Sequence, residues 1–282
     1  NRIIALAPRQ ITDLTKDYGA DRHRIALIPN GTDISRFQSA ADSVRGTSEQ
    51  IQLGFLGRLE HSQKGVLHLP GILHRLNERG TNFMLTIAGK GVHEAALREP
   101  LGSFIKSGQV RFVGALNPEE IAGFFADIDV YLFPSHFEGS PNALIEAIMS
   151  GCVPAAWQLD GITDFFIEDE VSGFLAPVGD CNMLADKITD LASDREHLSA
   201  MSRKVATDAR KRFSLPRVVD DYVKVIGEVM EEPVLPCHVK PWKNFQIEQA
   251  FYQPLWRKLI PVSAKRVIKK ALYKLKLVNR YE

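Results

Sequence analysis

Short apolar runs alternate along the first 230 residues with longer segments of helical period. The apolar runs are predicted to be β-strands, because they are brief, rich in β-branched residues and bounded by turn residues. The predicted strands cover residues 3–7, 25–28, 51–56, 83–88, 110–113, 130–133, 153–156 and 173–176. Their continuous apolar character is typical of parallel strands whose two faces are both covered by helices.

The segments between these strands repeat their apolar positions at the spacing of an α-helix. The predicted helices cover residues 9–17, 65–79, 92–106, 118–126, 142–150, 163–168, 181–192, 195–212 and 215–231. This alternation predicts an α/β fold, a Rossmann-like doubly wound parallel sheet followed by terminal helices. Ligands of such sheets bind beyond the carboxyl ends of the strands, so the loops after residues 56, 88, 113 and 133 are the candidate site.

The pattern changes after residue 231. Three prolines within residues 233–241 prevent a continuing helix, and helical period resumes over 263–278. In that last segment an apolar stripe lies opposite a face rich in Lys and Arg. We therefore predict a domain over 1–231 and a second region, 232–282, made of a Pro-containing linker and a basic amphipathic helical extension.

The net charge of +1 is unevenly distributed. Residues 233–282 carry 11 Lys and Arg against two Asp and Glu, whereas residues 1–232 carry 24 against 32. An acidic domain argues against nucleic acid as a partner. For the basic extension two interpretations stay open: a helix that packs on another protein domain, and a helix that lies on an anionic membrane surface.

Composition excludes several protein classes. With 45% hydrophobic and 24% charged residues the chain is of ordinary globular type, and no apolar run reaches the roughly 18 residues of a membrane span. The three cysteines form no CxxC pair, which favours free thiols in a reducing, cytoplasmic compartment. The eight histidines show no HxH or HExxH spacing, so neither a metal site nor a bound cofactor is predicted.

The most informative segment spans residues 133–146, where a predicted strand leads into a predicted helix. Ser140 is expected to cap that helix and Pro141 to occupy its first turn, so that free N–H groups point at the ligand crevice. Glu138 and Glu146 are eight residues apart and could grip separate hydroxyl groups of one polar ligand. The alternative is an ordinary loop before a surface helix.

A second segment, residues 56–65, places Arg58 and Lys64 around a short polar loop after a predicted strand. A bidentate Arg and a Lys point charge that converge on one anion would suit a diphosphate. The alternative is a pair of solvated loop cations. Gly89 and Gly91 allow a tight turn and a close approach, but they do not complete a GxGxxG motif and are a weak phosphate signal.

Taken in order, these residues resemble the retaining glycosyltransferases of family GT4, which have the GT-B architecture of two Rossmann-like domains. The likeness covers roughly residues 3–230. The matching landmarks are Pro29-Asn-Gly-Thr-Asp33, Gly57-Arg58-Leu59, Lys64-Gly65, Ala88-Gly-Lys-Gly91, Val113-Gly-Ala-Leu116, Phe133-Pro-Ser135, Glu138, Glu146, Ala147, Gly151, Val153-Pro154, Gly161 and Ser172-Gly-Phe-Leu175. One landmark alone is weak, whereas the ordered set is specific.

The resemblance implies a domain that binds a nucleotide-diphospho-sugar donor of UDP or GDP type. It implies that Arg58 and Lys64 hold the donor diphosphate, that Glu146 binds the ribose hydroxyls and that Glu138 binds the transferred sugar. The further donor-binding positions that it implies are Gly139, Ser140, Pro141, Asn142, Ala143, Gly89, Gly91 and Gly114. Where the family often has an aromatic residue and Gly after the first Glu-Gly, this chain has Ser140-Pro141-Asn142, so the donor sugar stays open.

By the same resemblance we expect retaining, metal-independent transfer to a saccharide or lipid-linked acceptor in cell-surface polysaccharide synthesis, at a cytoplasmic or peripheral membrane location. The family's N-terminal, acceptor-binding domain is expected to precede residue 1, and this chain is expected to supply the donor site. Two alternatives stay open: a non-catalytic nucleotide-sugar-binding subunit that needs an acceptor-binding partner, and a nucleotide-sugar epimerase of the same architecture.

Overall fold

The computed structural model describes residues 2–37 and 49–232. Its strands are Ile3–Ala5 (β1), Ile25–Leu27 (β2), Ile51–Leu56 (β3), Phe83–Ala88 (β4), Val110–Gly114 (β5), Val130–Phe133 (β6), Val153–Trp157 (β7) and Phe174–Ala176 (β8). Its α-helices are Pro8–Lys16 (α1), His61–Lys64 (α2), Leu69–Glu78 (α3), Glu94–Arg98 (α4), Gly102–Lys106 (α5), Ile121–Ala126 (α6), Asn142–Met149 (α7), Thr163–Phe166 (α8), Cys181–Ser193 (α9), Arg195–Phe213 (α10) and Leu215–Glu231 (α11).

The main sheet has six parallel strands in the order β5-β4-β3-β6-β7-β8. This confirms the predicted doubly wound α/β fold, although β1 and β2 pair in a separate two-stranded parallel sheet. The chain first builds the sheet outward from β3 to β5 and then returns to place β6 on the other side of β3. The strand order therefore reverses between β3 and β6, and ligands of such sheets bind beyond the carboxyl ends of the two strands at this reversal.

The apolar runs form strands because helices cover both faces of the sheet. All four residues of β6 are buried, and they alternate between two hydrophobic cores. Val130 and Leu132 belong to the core that also holds α3 and α9, whereas Tyr131 and Phe133 face the core formed with α7 and α10. Successive side chains of a strand point to opposite faces of the sheet, so this one strand contributes to both cores.

Two predicted helices are interrupted, each at a residue that cannot continue a helix. The helix predicted over 65–79 is wrong at its start, because Gly65 takes a left-handed conformation (φ 60°) and ends α2. After a short 3₁₀ turn, Val66–His68, α3 begins at Leu69. The helix predicted over 92–106 is divided into α4 and α5 around Pro100, which lacks a backbone N–H.

The basic extension predicted over 263–278 and the linker before it lie outside the described residues. Among the helices that the structure does describe, none combines the length and the apolar character needed to cross a lipid bilayer.

Candidate functional site

The loop after β3 is fixed by a helix cap that the sequence analysis missed. The Glu60 carboxylate accepts hydrogen bonds from the backbone N–H of Ser62 (2.7 Å) and of Gln63 (2.9 Å). The Ser62 hydroxyl also donates to it, and these bonds lower the pKa of Glu60 to about 2. The cap starts α2 at His61 and so places Lys64 at the end of its single turn.

The loop after β3 docks directly on the loop after β6. At Gly65 an added Cβ would lie 1.8 Å from the carbonyl oxygen of Pro134, so only glycine allows this approach. Beside it, the backbone N–H of His136 donates to the carbonyl of Gln63 at 2.8 Å. The two loops at the reversal of strand order are therefore in direct contact.

An ion pair joins the two loops. Lys64 Nζ lies 2.6 Å from Glu138 Oε1, and these side chains are only 18% and 6% exposed. Arg58 is exposed on the same loop, where its Nη2 donates to Gln63 Oε1 at 2.5 Å. Of the two predicted cations, Lys64 thus lies at the junction of the loops and Arg58 lies at its rim.

The start of α7 differs from the expectation. Ser140 does not cap the helix: Pro141 occupies the cap position, and its carbonyl accepts from the N–H groups of Leu144 (3.0 Å) and Ile145 (3.1 Å). The helix therefore begins one residue later than a cap at Ser140 would require. Within the described chain the Ser140 hydroxyl is buried without a hydrogen-bond partner.

The first turn of α7 keeps donors available. The N–H groups of Asn142 and Ala143 donate to no residue that the structure describes. The side chain of Asn142 accepts from Asn30 Nδ2 at 2.7 Å, and the carbonyl of Gly139 accepts from Gln10 Nε2 at 3.3 Å. Donors at a helix start are suited to an anion.

Glu146 lies further along α7, beside a cleft of about 340 Å³. The cleft is lined by Asn30, Gly31, Thr32, Asn142, Ile145 and Glu146. Burial raises the pKa of the Glu146 carboxyl, and the charge of Arg36 partly opposes this shift. Within residues 2–37 and 49–232 no side chain or backbone group hydrogen-bonds to that carboxylate. It is therefore a half-buried acceptor facing an open polar cleft.

The predicted glycines bring protein loops together. At Gly89 an added Cβ would lie 1.8 Å from the carbonyl oxygen of Gly57, and at Gly91 it would lie 2.3 Å from that of Leu59. The N–H of Gly89 donates to the carbonyl of Gly114 at 2.7 Å, where the backbone has φ 79°. The loops after β4 and β5 thus support the segment that carries Arg58.

A larger cleft, of about 460 Å³, lies between α1 and Gly161. Charges of both signs line it, the carboxylates of Asp13, Asp17 and Asp160 and the cations Arg9 and Lys16, and Asp13 pairs with Arg9. The carboxylates outnumber the cations by one, so the cleft offers an anionic ligand no net attraction. Its larger volume alone does not make it the candidate site, because the predicted cations and the first predicted carboxylate lie instead at the junction of the loops after β3 and β6.

Three histidines that the sequence analysis did not group together meet where the loops after β3 and β6 dock. Ring nitrogens of His61, His68 and His136 lie within 4.8 Å of one another. Burial, together with the neighbouring rings, lowers the pKa of His68 to about 4 and also lowers that of His61. These residues come from both loops, so no local spacing in the sequence could have indicated the group.

Comparison with known proteins found relatives of this chain in sequence and in fold. Residues 39–211 match the family model described as "Glycosyl transferases group 1". The chain is 30% identical over 169 residues to the phosphatidyl-myo-inositol mannosyltransferase of Mycolicibacterium smegmatis, covering 59% of this chain and 42% of that protein. It is 27% identical over 248 residues to the D-inositol 3-phosphate glycosyltransferase of Geodermatophilus obscurus, covering 82% and 53%.

The chain spans about half the length of the curated relatives it matches. Among solved structures, Anabaena Alr3699/HepE in complex with UDP and glucose superposes with a TM-score of 0.66 at 19% identity. That likeness covers 82% of this chain and 63% of the other and bears on the fold.

Proposed function

Because this chain belongs to the glycosyl transferases group 1 family, we propose that residues 1–231 form the donor-binding domain of a retaining, metal-independent glycosyltransferase. The donor is a UDP- or GDP-sugar, and the acceptor is a saccharide or a lipid-linked saccharide of cell-surface polysaccharide synthesis. The observation that carries the proposal is the junction of the loops after β3 and β6, where Lys64 Nζ and Glu138 Oε1 are 2.6 Å apart.

The diphosphate would bind at this junction. Glycosyl transfer develops negative charge on the leaving diphosphate, which fixed cations and oriented N–H groups stabilise. An ammonium has three donor hydrogens, so Lys64 can contact a phosphate oxygen while it keeps its bond to Glu138. Arg58 at the rim and the N–H groups of Asn142 and Ala143 supply further donors. In this arrangement protein groups balance the charge that a divalent cation balances in other transferases.

The two carboxylates would bind the remaining parts of the donor. Glu146 faces a polar cleft and accepts no hydrogen bond from the described residues, so it suits the vicinal hydroxyls of the ribose. Glu138 lies beside Lys64, hence near the sugar that leaves the diphosphate. A carboxylate beside the transferred sugar stabilises the positive charge that develops at the anomeric carbon. Retention of configuration rests on the resemblance to family GT4.

Calorimetric titration with UDP, GDP, UDP-glucose and GDP-mannose tests the proposal. We expect at least one of these nucleotides to bind to the wild type, and Lys64→Met to weaken that binding by about 10- to 100-fold, the worth of a charged hydrogen bond. Lys106→Met, which removes an exposed lysine from α5, is the matched control. A wild type that binds none of the four ligands would overturn the proposal.

For residues 263–278 we propose contact with an anionic membrane surface, which would hold the domain near a lipid-linked acceptor on the cytoplasmic face. Each Lys near such a surface contributes about 1 kcal/mol. Exchanging Lys265, Lys269 and Lys276 for Gln in the full chain should therefore release it from phosphatidylserine vesicles in co-sedimentation. Equal sedimentation of both proteins, or equal binding to neutral vesicles, would contradict this role.

A further inference from the structure

The three-histidine cluster, His61, His68 and His136, has the dimensions of a ligand set. His68 Nε2 and His136 Nε2 are 2.8 Å apart, and the three pairs of ring centroids are separated by 5.0 to 5.2 Å. In a tetrahedral site with metal–nitrogen bonds of about 2.0–2.1 Å, ligand nitrogens lie roughly 3.3 Å apart. Small rotations of these rings would therefore open the closest pair and draw in the third nitrogen.

Groups around the cluster hold its rings in place. His136 Nδ1 lies 3.2 Å from the Ser62 carbonyl, and in the tautomer that donates to this oxygen the lone pair of His136 is on Nε2, facing His68. A carbonyl that accepts from the outer ring nitrogen is the usual support of a metal-binding histidine. His68 packs edge-on against the buried Trp157, with ring centroids 5.4 Å apart. His61 accepts a long bond of 3.3 Å from the Leu67 N–H, which a metal bond can replace.

We propose that His61, His68 and His136 bind one late first-row transition-metal ion, of the class Zn²⁺, Co²⁺ or Ni²⁺, and that the ion fastens the loop after β3 to the loop after β6. Imidazole nitrogen suits these ions, whereas Mg²⁺ and Mn²⁺ favour oxygen ligands. Three protein ligands leave one position for water. Binding requires neutral rings, and the proton on His68 Nε2 must move to its Nδ1 or to solvent.

This site goes beyond the proposed function and is independent of it. The ion would act on the relative position of the two loops, because His61 and His68 follow β3 and His136 follows β6. The nearby His93 is engaged elsewhere, since its Nδ1 accepts from the backbone N–H of His61 at 3.2 Å. The transfer chemistry at the diphosphate would not use this metal as a Lewis acid.

Co²⁺ titration of the full, tag-free chain tests the site, because the visible absorption of Co²⁺ reports nitrogen ligation in a low-symmetry site. We expect one equivalent to bind to the wild type and Zn²⁺ to displace it. His68→Leu and His136→Gln should each weaken binding by more than about 100-fold, since even the loss of a supporting group costs 10- to 100-fold. His197→Gln, at an exposed position of α10, is the matched control and should bind as the wild type does.

A melting experiment gives a second readout. Zn²⁺ should raise the melting temperature of the wild type and of His197→Gln, and leave that of His136→Gln unchanged. If His68→Leu fails to fold, His136→Gln alone decides, because its ring is replaced by a polar side chain at a half-buried position. A wild type without a Co²⁺ spectrum, or unchanged affinity in His136→Gln, would overturn the proposal. Nucleotide binding is expected to persist in both variants, so the two proposals can fail separately.

Discussion

Glu138 and Glu146 lie at the same edge of the sheet, yet they occupy opposite environments. Glu138 is 6% exposed and lies 2.6 Å from the ammonium of Lys64. Glu146 faces a cleft, accepts no hydrogen bond from any described residue, and has a raised pKa because of burial. The first carboxylate has its partner inside the folded chain, whereas the second accepts no hydrogen bond within the described residues.

The two environments imply different consequences for stability when each carboxylate is replaced. Around Glu138, the contacts that would bind the donor also hold the two loops together, so a substitution there alters stability and binding at once. Around Glu146, the carboxylate opposes folding slightly through its desolvation, so a substitution there can weaken binding without a loss of stability. Substitutions at the two carboxylates and at the residues around them should therefore differ in whether they change stability, nucleotide affinity or both.

The largest effect is expected from Gly65→Ala, which attacks the junction itself. The added Cβ would collide with the Pro134 carbonyl oxygen, 1.8 Å away, at a backbone with φ 60°. We expect a loss of about 4 kcal/mol in the free energy of unfolding, measured by urea denaturation. Gly80→Ala is the matched control, because Gly80 has φ 71° and no atom near its Cβ position. Its loss in the free energy of unfolding, about 1–2 kcal/mol, measures the cost of the left-handed backbone alone. Equal losses would show that the loops do not dock closely.

Next in size is Glu138→Gln, which leaves the Lys64 ammonium partly buried and without its counter-charge. We expect a loss of about 3 kcal/mol in the free energy of unfolding, because removal of one partner strands the other. The control is Glu78→Gln, whose ion pair with Arg75 is exposed (57% and 46%), and whose loss should stay below about 0.5 kcal/mol. A double-mutant cycle with Lys64→Met measures the coupling, and a coupling near zero would refute the scaffold role of the pair.

Glu146→Gln should separate binding from stability. We expect nucleotide affinity to fall by about 10- to 100-fold in calorimetry, because charged hydrogen bonds to the ribose are lost. The free energy of unfolding should rise slightly at neutral pH, since the neutral amide avoids the desolvation of a carboxylate. If affinity is unchanged, Glu146 does not contact the nucleotide.

The pH dependence of this variant has a defined sign. A carboxyl whose pKa is raised in the folded state binds more protons there than in the unfolded chain. The wild type should therefore gain stability relative to Glu146→Gln as the pH falls through the raised pKa of Glu146. Urea denaturation at a series of pH values measures the difference, and a difference that grows in the opposite direction would contradict the burial of this group.

The smallest effect on folding is expected from Arg58→Ala, because the side chain is exposed at the rim. The free energy of unfolding should change by less than about 0.5 kcal/mol. Affinity for a nucleoside diphosphate should nevertheless fall about 10-fold, because one charge-assisted contact is lost. Arg203→Ala, which removes an exposed arginine of α10, is the control for the change in net charge. Equal affinities of the two variants for the nucleoside diphosphate would show that Arg58 does not contact it.

The sheet was predictable from the sequence because its strands are buried on both faces and therefore apolar throughout, as in β6. The same pattern predicted that the loops after residues 56 and 133 lie at one edge of the sheet, and they do meet at the reversal of strand order. That Lys64 and Glu138 form an ion pair was not predicted, because their contact depends on the docking of Gly65 against Pro134.

Other features depended on geometry that no local pattern encodes. Ser140 is a favourable capping residue by type, but Pro141 takes the cap position and shifts the helix start by one residue. Glu60 caps α2, which is too short to show a helical period. The three-histidine cluster joins positions 61 and 68 with position 136, so its members become neighbours only when the strand order brings β3 and β6 together.

Hydrogen–deuterium exchange of the full chain, with and without UDP or GDP, shows directly which loops a nucleotide contacts. If the nucleotide binds at the junction of the loops after β3 and β6, exchange should slow in residues 57–65 and 134–146 and stay unchanged in α1. Slower exchange confined to residues 8–17 and 160–161, which surround the larger cleft, would contradict binding at that junction.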